Sequence, residues 1–162
     1  METYRTPFVR RVEPEALVIH CSDPRYQAHF QEFLHRALGY ESYELIAVPG
    51  GPQFLTLSEY LPKFAWTGWR WTRFLVDVAK PTRAVLIAHE NCRWYMDRRF
   101  WQYTGDLRAR QIEDLARVKR EMESRFPGID VDTYFARLEG REVVFEAVHS
   151  TRPPSRGNPM RA

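Results

Sequence analysis

Three short apolar runs punctuate the first ninety positions: ALVIHC at Ala16–Cys21, YELIAV at Tyr43–Val48 and RAVLIAH at Arg83–His89. Runs of six or seven residues, β-branched and apolar without strict alternation, suit strands buried on both faces of a parallel sheet. The segments between them have helical spacing. Over residues 26–38, Phe30, Phe33, Leu34 and Leu38 can share one face, and Gly39 is a natural stop. Residues 64–79 form a second helical segment, broken by Pro81. Residues 106–126 form the clearest one, with Ile112, Leu115, Met122 and Phe126 on one stripe and Pro127-Gly128 beyond.

Parallel strands need crossover connections, so this alternation constrains the fold strongly. Two alternating segments, residues 131–138 and 141–148, meet at Glu139-Gly140 and read as a hairpin. The order β-α-β-α-β-α-β-β predicts an α/β fold, a single-domain Rossmann-like sandwich. Its mostly parallel sheet has order 2-1-3-4 and a C-terminal antiparallel edge strand. Pro49-Gly50-Gly51-Pro52 reads as a loop, residues 54–62 as a short helix or irregular stretch, and residues 90–103 as a loop with a helical turn. The expected domain covers residues 1–150, with 1–13 as an N-terminal arm and the Pro/Gly/Arg-rich residues 151–162 as a flexible tail.

At 162 residues the chain matches one domain of roughly 100–200 residues. Hydrophobic residues are 44% and charged residues 28%, which excludes collagen-like and largely disordered classes. No apolar run approaches the ~20 residues of a membrane helix. The opening METYRTPFVRRVEPE lacks the apolar region of a secretory signal, which predicts a cytoplasmic protein. Net charge is +3, and the 24 basic residues, all Arg except Lys63, Lys80 and Lys119, are interspersed with 21 acids. Nucleic-acid binders cluster their basic residues on one face or arm, so no nucleic-acid partner is expected.

The chemistry collects at strand ends. Cys21 ends the first strand, with Asp23 and Arg25 following at alternate positions; His89 ends the third, with Cys92 three residues on. In a 2-1-3 sheet those two strands are neighbours, and ligand sites form where the connections leave to opposite faces. Each cysteine alone reads as a buried core thiol. Two thiols and an imidazole converging with a carboxylate read as a zinc site with three protein ligands and one position left for water. Asp23 can orient that water or take the fourth position itself, and Arg25 can hold Asp23 in a bidentate ion pair.

C-x-D-x-R after a first buried strand, with H-x-x-C after a later one, resembles the β-class carbonic anhydrases. Leu45–Gly51 (LIAVPGG) is similar to that family's second strand and Gly-containing loop, and residues 73–89 to its helix-then-strand approach to the zinc histidine. The resemblance spans roughly residues 16–148. It implies zinc on Cys21, His89 and Cys92, and reversible hydration of carbon dioxide to bicarbonate by a zinc-bound hydroxide. Asp23 would orient the nucleophile, Arg25 would orient Asp23, and Gly50 and Gly51 would border the pocket. A homodimer or a multiple of dimers is implied, with the arm packed on the partner. Two related readings are a zinc hydrolase of carbonyl sulfide or carbon disulfide, and a non-catalytic zinc protein with Asp23 closing the site. Arg93, Trp94 and Tyr95 stand where the family has small Gly-rich residues, Ala47-Val48-Pro49 replaces its Arg-Asn loop portion, and residues 62–71 look inserted.

The remaining candidates read more plainly. His20 alternates to the other strand face and reads as a core histidine. His29, His35 and His149 read as solvated. Glu90 is a candidate general base that the family mechanism does not require. Trp66, Trp69, Trp71, Trp94 and Trp101 read as core or subunit interface.

Overall fold

Strand β1 (Ala16–Cys21) is buried along its whole length because it has a parallel neighbour on each side. One neighbour is β2 (Tyr43–Val48), in register from Ala16 opposite Tyr43 to Cys21 opposite Val48. The other is β3 (Arg83–His89), which pairs in turn with β4 (Asp130–Glu139), also parallel. Strand β5 (Glu142–Ala147) returns antiparallel to β4. The five-stranded open mixed sheet has the order β2-β1-β3-β4-β5, so the fold is α/β as the sequence predicts. The computed structural model describes residues 2–8, 13–57, 61–98 and 105–149. The tail at 151–162, Val9 of the arm and Trp101 lie outside the described residues.

Three α-helices occur among the described residues: α1 (Gln27–Glu32), α2 (Pro62–Ala79) and α3 (Leu107–Arg125). Helix α1 runs straight into a π turn, Phe33–Ala37, where Leu38 N donates to Phe33 O. The single helix expected over residues 26–38 is thus an α segment with a widened last turn. Gly39, at φ +75°, ends it. A 3₁₀ turn, Gly51–Leu55, precedes α2, whose start at Pro62 comes two residues earlier than the sequence suggests; proline is well suited to a first helical turn. Asp106 caps α3, accepting from the amides of Arg108 (2.8 Å) and Ala109 (3.2 Å). Such a cap contributes about 1 kcal/mol.

The two-residue period of the strands sorts the core onto two faces. Leu17, Ile19, Leu86 and Phe135 face Leu115, Val118 and Met122 of α3. Val18, Val85, Ile87 and Tyr134 face Phe30 of α1 and Phe33 and Leu34 of the π turn. The β2 run reads almost as apolar as its neighbours, but at the sheet edge only Ile46 is buried, and Leu45 is 45% exposed. Periodicity alone does not distinguish an edge strand from a central one. Among the described residues, no helix is long and apolar enough to cross a membrane.

Candidate metal centre

Cys21 and His89 are the last residues of β1 and β3. Their parities differ: Cys21 follows Leu17 and Ile19, and His89 follows Val85 and Ile87. The two side chains therefore leave opposite faces and meet beyond the carboxyl edge of the sheet. Cys92 reaches the same point through the turn after β3, where Asn91 adopts φ +54°. The ligand atoms of Cys21, His89 and Cys92 lie within 4.8 Å of one another, and all three residues are buried. The two sulfurs are 3.8 Å apart.

The surroundings prepare these groups for a cation. His89 Nδ1 lies 2.9 Å from Glu90 O, which fixes that nitrogen as the donor and leaves Nε2 with its lone pair. Nε2 is buried and has no hydrogen-bond partner, an arrangement that costs free energy unless something electrophilic sits there. The Asp23 amide is directed at the Cys21 sulfur, and the Trp94 and Tyr95 amides at that of Cys92. The hydrogen bond from Cys92, reinforced by His89, pulls the Cys21 thiol well below its ordinary value. The same contact, with burial, pushes Cys92 up. A soft divalent cation held by both sulfurs would displace the thiol proton that remains. The group can hold a metal ion, and its donor set of two thiolates and one imidazole fits zinc.

Asp23 and Arg25 form a locked pair beside this group. Arg25 Nε donates to Asp23 Oδ1 (3.0 Å), Nη2 donates to Oδ2 (2.6 Å), and the Arg25 amide also donates to Oδ1 (3.0 Å). These bonds hold the Asp23 carboxyl well below the ordinary range, at about 2. Arg25 Nη2 also donates to Asn91 O (2.8 Å), so one guanidinium ties the C-x-D-x-R loop to the H-x-x-C turn. Gln27 Nε2 donates to Cys21 O and Asp23 O, and Tyr26 donates to Glu90 O and packs its ring 4.2 Å from His89. None of Gln27, Tyr26 or Asn91 stands out in the sequence, because each acts through a backbone carbonyl rather than through a motif: Gln27 on its own loop, Tyr26 on the turn after β3, and Asn91 by its own carbonyl.

The other candidates have plain placements. Glu90 accepts from the Leu138 amide at 2.7 Å, a contact to β4. His20 is buried, with Nδ1 2.9 Å from Cys21 O and its ring against Phe30; burial lowers its pKa. His29 and His149 are exposed, and His35 is half-buried near Tyr43. Gly51 lies on the end of β1, and Gly50 lies under the Trp94 indole.

Trp94 and Tyr95 explain how bulky residues fit directly after Cys92. Both pack against the two cysteines. Trp94 Nε1 donates to Gln53 Oε1 (2.7 Å), Gln53 hydrogen-bonds Asp114, and Tyr95 Oη donates to Asp114 Oδ2 (2.8 Å). A ring of buried polar groups therefore anchors this turn to α3 and to the 3₁₀ turn. Spacing gave no hint of it, since Gln53 and Asp114 are 61 residues apart.

Burial pushes the Asp114 carboxyl up from its ordinary 3.8, against the hydrogen bonds and the Arg110 charge that favour ionisation. The folded chain keeps this proton to a higher pH than the unfolded chain. The resulting stability is fully present below the unfolded value and is lost as pH rises through the folded one. Asp114→Asn keeps an acceptor for Tyr95 and removes the titration. Relative to the parent, its urea midpoint should rise between pH 4 and pH 7; parallel curves for the two proteins would show that Asp114 does not titrate in that window.

No family model matches the chain, and no curated protein matches it.

Proposed function

We propose that the chain is a zinc-dependent hydratase of carbon dioxide. The observation that carries this reading is the buried meeting of two thiols and an unpartnered imidazole nitrogen beside a carboxylate fixed by arginine. A zinc ion with three protein ligands supplies Lewis acidity that brings the pKa of a coordinated water close to neutral. Cys21, His89 and Cys92 would hold it. Asp23, with both oxygens oriented by Arg25, accepts a hydrogen bond from the attacking water and aims its lone pair at the substrate carbon. A carbon–oxygen bond forms, one proton leaves to solvent, and bicarbonate departs.

Arg25 decides whether this works. While it holds Asp23, the carboxylate orients the nucleophile; released, the carboxylate would be free to compete with water for a metal held by Cys21, His89 and Cys92. Arg25→Ala should keep zinc and lose roughly 10- to 100-fold in carbon dioxide hydration, as is usual when the groups around a metal's ligands are removed. Stopped-flow hydration with parallel metal analysis tests this. Full activity in the variant would reduce the pair to a structural one.

Assembly belongs to the same reading. Leu45, Trp66, Phe74 and Val78 are exposed on β2 and α2, and Tyr4 and Phe8 of the arm are 95% and 86% exposed. Exposed apolar surface of this kind marks an interaction face. Light scattering at micromolar concentration should give the mass of two chains or a multiple; 19.3 kDa would speak against a dimer.

A further inference from the structure

Trp94 belongs to two neighbourhoods at once. It packs against Cys21, Cys92 and Tyr95, and it lines a cavity of about 300 Å³ with Val48, Pro49, Phe54, Leu57, Phe64 and Trp71. The indole is fixed where it stands. Gly50 lies so close beneath it that a Cβ there would come within 2.3 Å of Trp94 Cδ1, and Nε1 is bonded to buried Gln53. The two polar residues of the lining are Lys63 and Thr67. The Thr67 hydroxyl is already donated to Lys63 O at 2.8 Å.

We infer that this cavity binds a small, uncharged, apolar molecule and that Trp94 is the partition between it and the cysteine–histidine group. Phe54, Leu57 and Trp94 offer an apolar guest close contact from within, and the half-exposed Phe64 and Trp71 border the mouth. A charged or strongly hydrogen-bonding guest would lose its water there with little in return. The volume lies at the small end of ligand pockets and is about ten times that of one water. The cavity therefore accommodates a molecule up to the size of a small aromatic hydrocarbon. Its link to chemistry rests on the proposed zinc reading: an apolar substrate gathers in the cavity and reaches the metal along the edge of the fixed Trp94 indole. Trp94 then sets the size of substrate admitted.

Benzene is a suitable probe, since apolar cavities of this kind take it up. In ¹H–¹⁵N spectra of the full chain, the Trp94 indole signal is the one lost in Trp94→Phe. Benzene should shift that signal saturably, with or without zinc. Thr67→Phe fills the cavity from α2 and should weaken binding at least tenfold, and Val48→Phe, filling it from β2, serves the same purpose should the first variant fail to fold. Absence of a saturable shift in the parent, or unchanged binding in the folded cavity-filling variant, overturns the cavity proposal. A zinc-loaded cavity-filling variant should also hydrate carbon dioxide at least tenfold more slowly; full hydration with benzene excluded would overturn the link to the metal. A parent that binds benzene but carries no zinc would refute the zinc reading and leave the cavity in place.

Discussion

The purified chain is expected to carry about one zinc ion, and a Cys21→Ser/Cys92→Ser double variant none. Hydroxyls are far poorer zinc ligands than thiolates, and His89 alone cannot hold the ion. His89 Nε2 is buried without a hydrogen-bond partner, and the two sulfurs lie 3.8 Å apart in the same buried group. Filling it should add stability by linkage, about 4 kcal/mol at a free zinc concentration a thousand times the dissociation constant. A chelator should lower the melting temperature of the parent and leave that of the double variant unchanged. Elemental analysis of folded protein, with circular dichroism to confirm the fold, gives the decisive comparison. A full zinc complement in the double variant would remove Cys21 and Cys92 from the ligand set.

Gly51→Ala is expected to cost about 3 kcal/mol or more, and to weaken metal binding as well. Gly51 has φ +57°, and a Cβ there would lie 2.9 Å from Cys21 N and 3.0 Å from His20 C. Both neighbours are backbone atoms of a buried central strand, so neither can swing aside. The strained φ contributes about 1–2 kcal/mol, and overpacking typically about 1–3 kcal/mol more. Relief can come only by moving the end of β1, where Cys21 sits. Gly39→Ala is the control: its φ is +75°, but nothing lies within 4 Å of its Cβ position, so it meets the conformational penalty alone. At roughly 2–4 °C per kcal/mol for a chain of this size, the Gly51 variant should melt roughly 6–12 °C below the parent. Equal melting of the two variants would show that close approach to β1 is not what the glycine provides.

The family resemblance implies that Gly50 and Gly51 border a pocket. The structure gives each a definite steric duty. Gly51 lets the chain cross the end of β1, and Gly50 makes room for an indole. The first depends on contact between a 3₁₀ turn and a strand end 30 residues before it, and the second on a tryptophan 44 residues away. Local spacing carries no record of either.

The strands and the donor set were legible in residue order alone. Apolar runs and helical stripes are local physics, so β1, β2 and β3 have the bounds their composition marks, and α3 runs between its capping Asp106 and Phe126. Parallel order then brings Cys21 to His89 and Cys92, because crossover connections leave few other topologies. How that set is held emerges in three dimensions. Arg25 reaches across to Asn91 O, Gln27 clamps the turn that carries Asp23, and a ring through Gln53 and Asp114 fixes Trp94 against the sulfurs. These contacts join side chains to carbonyls or to distant side chains in loops without periodicity. Their partners are chosen by distance in space, which a one-dimensional pattern does not encode.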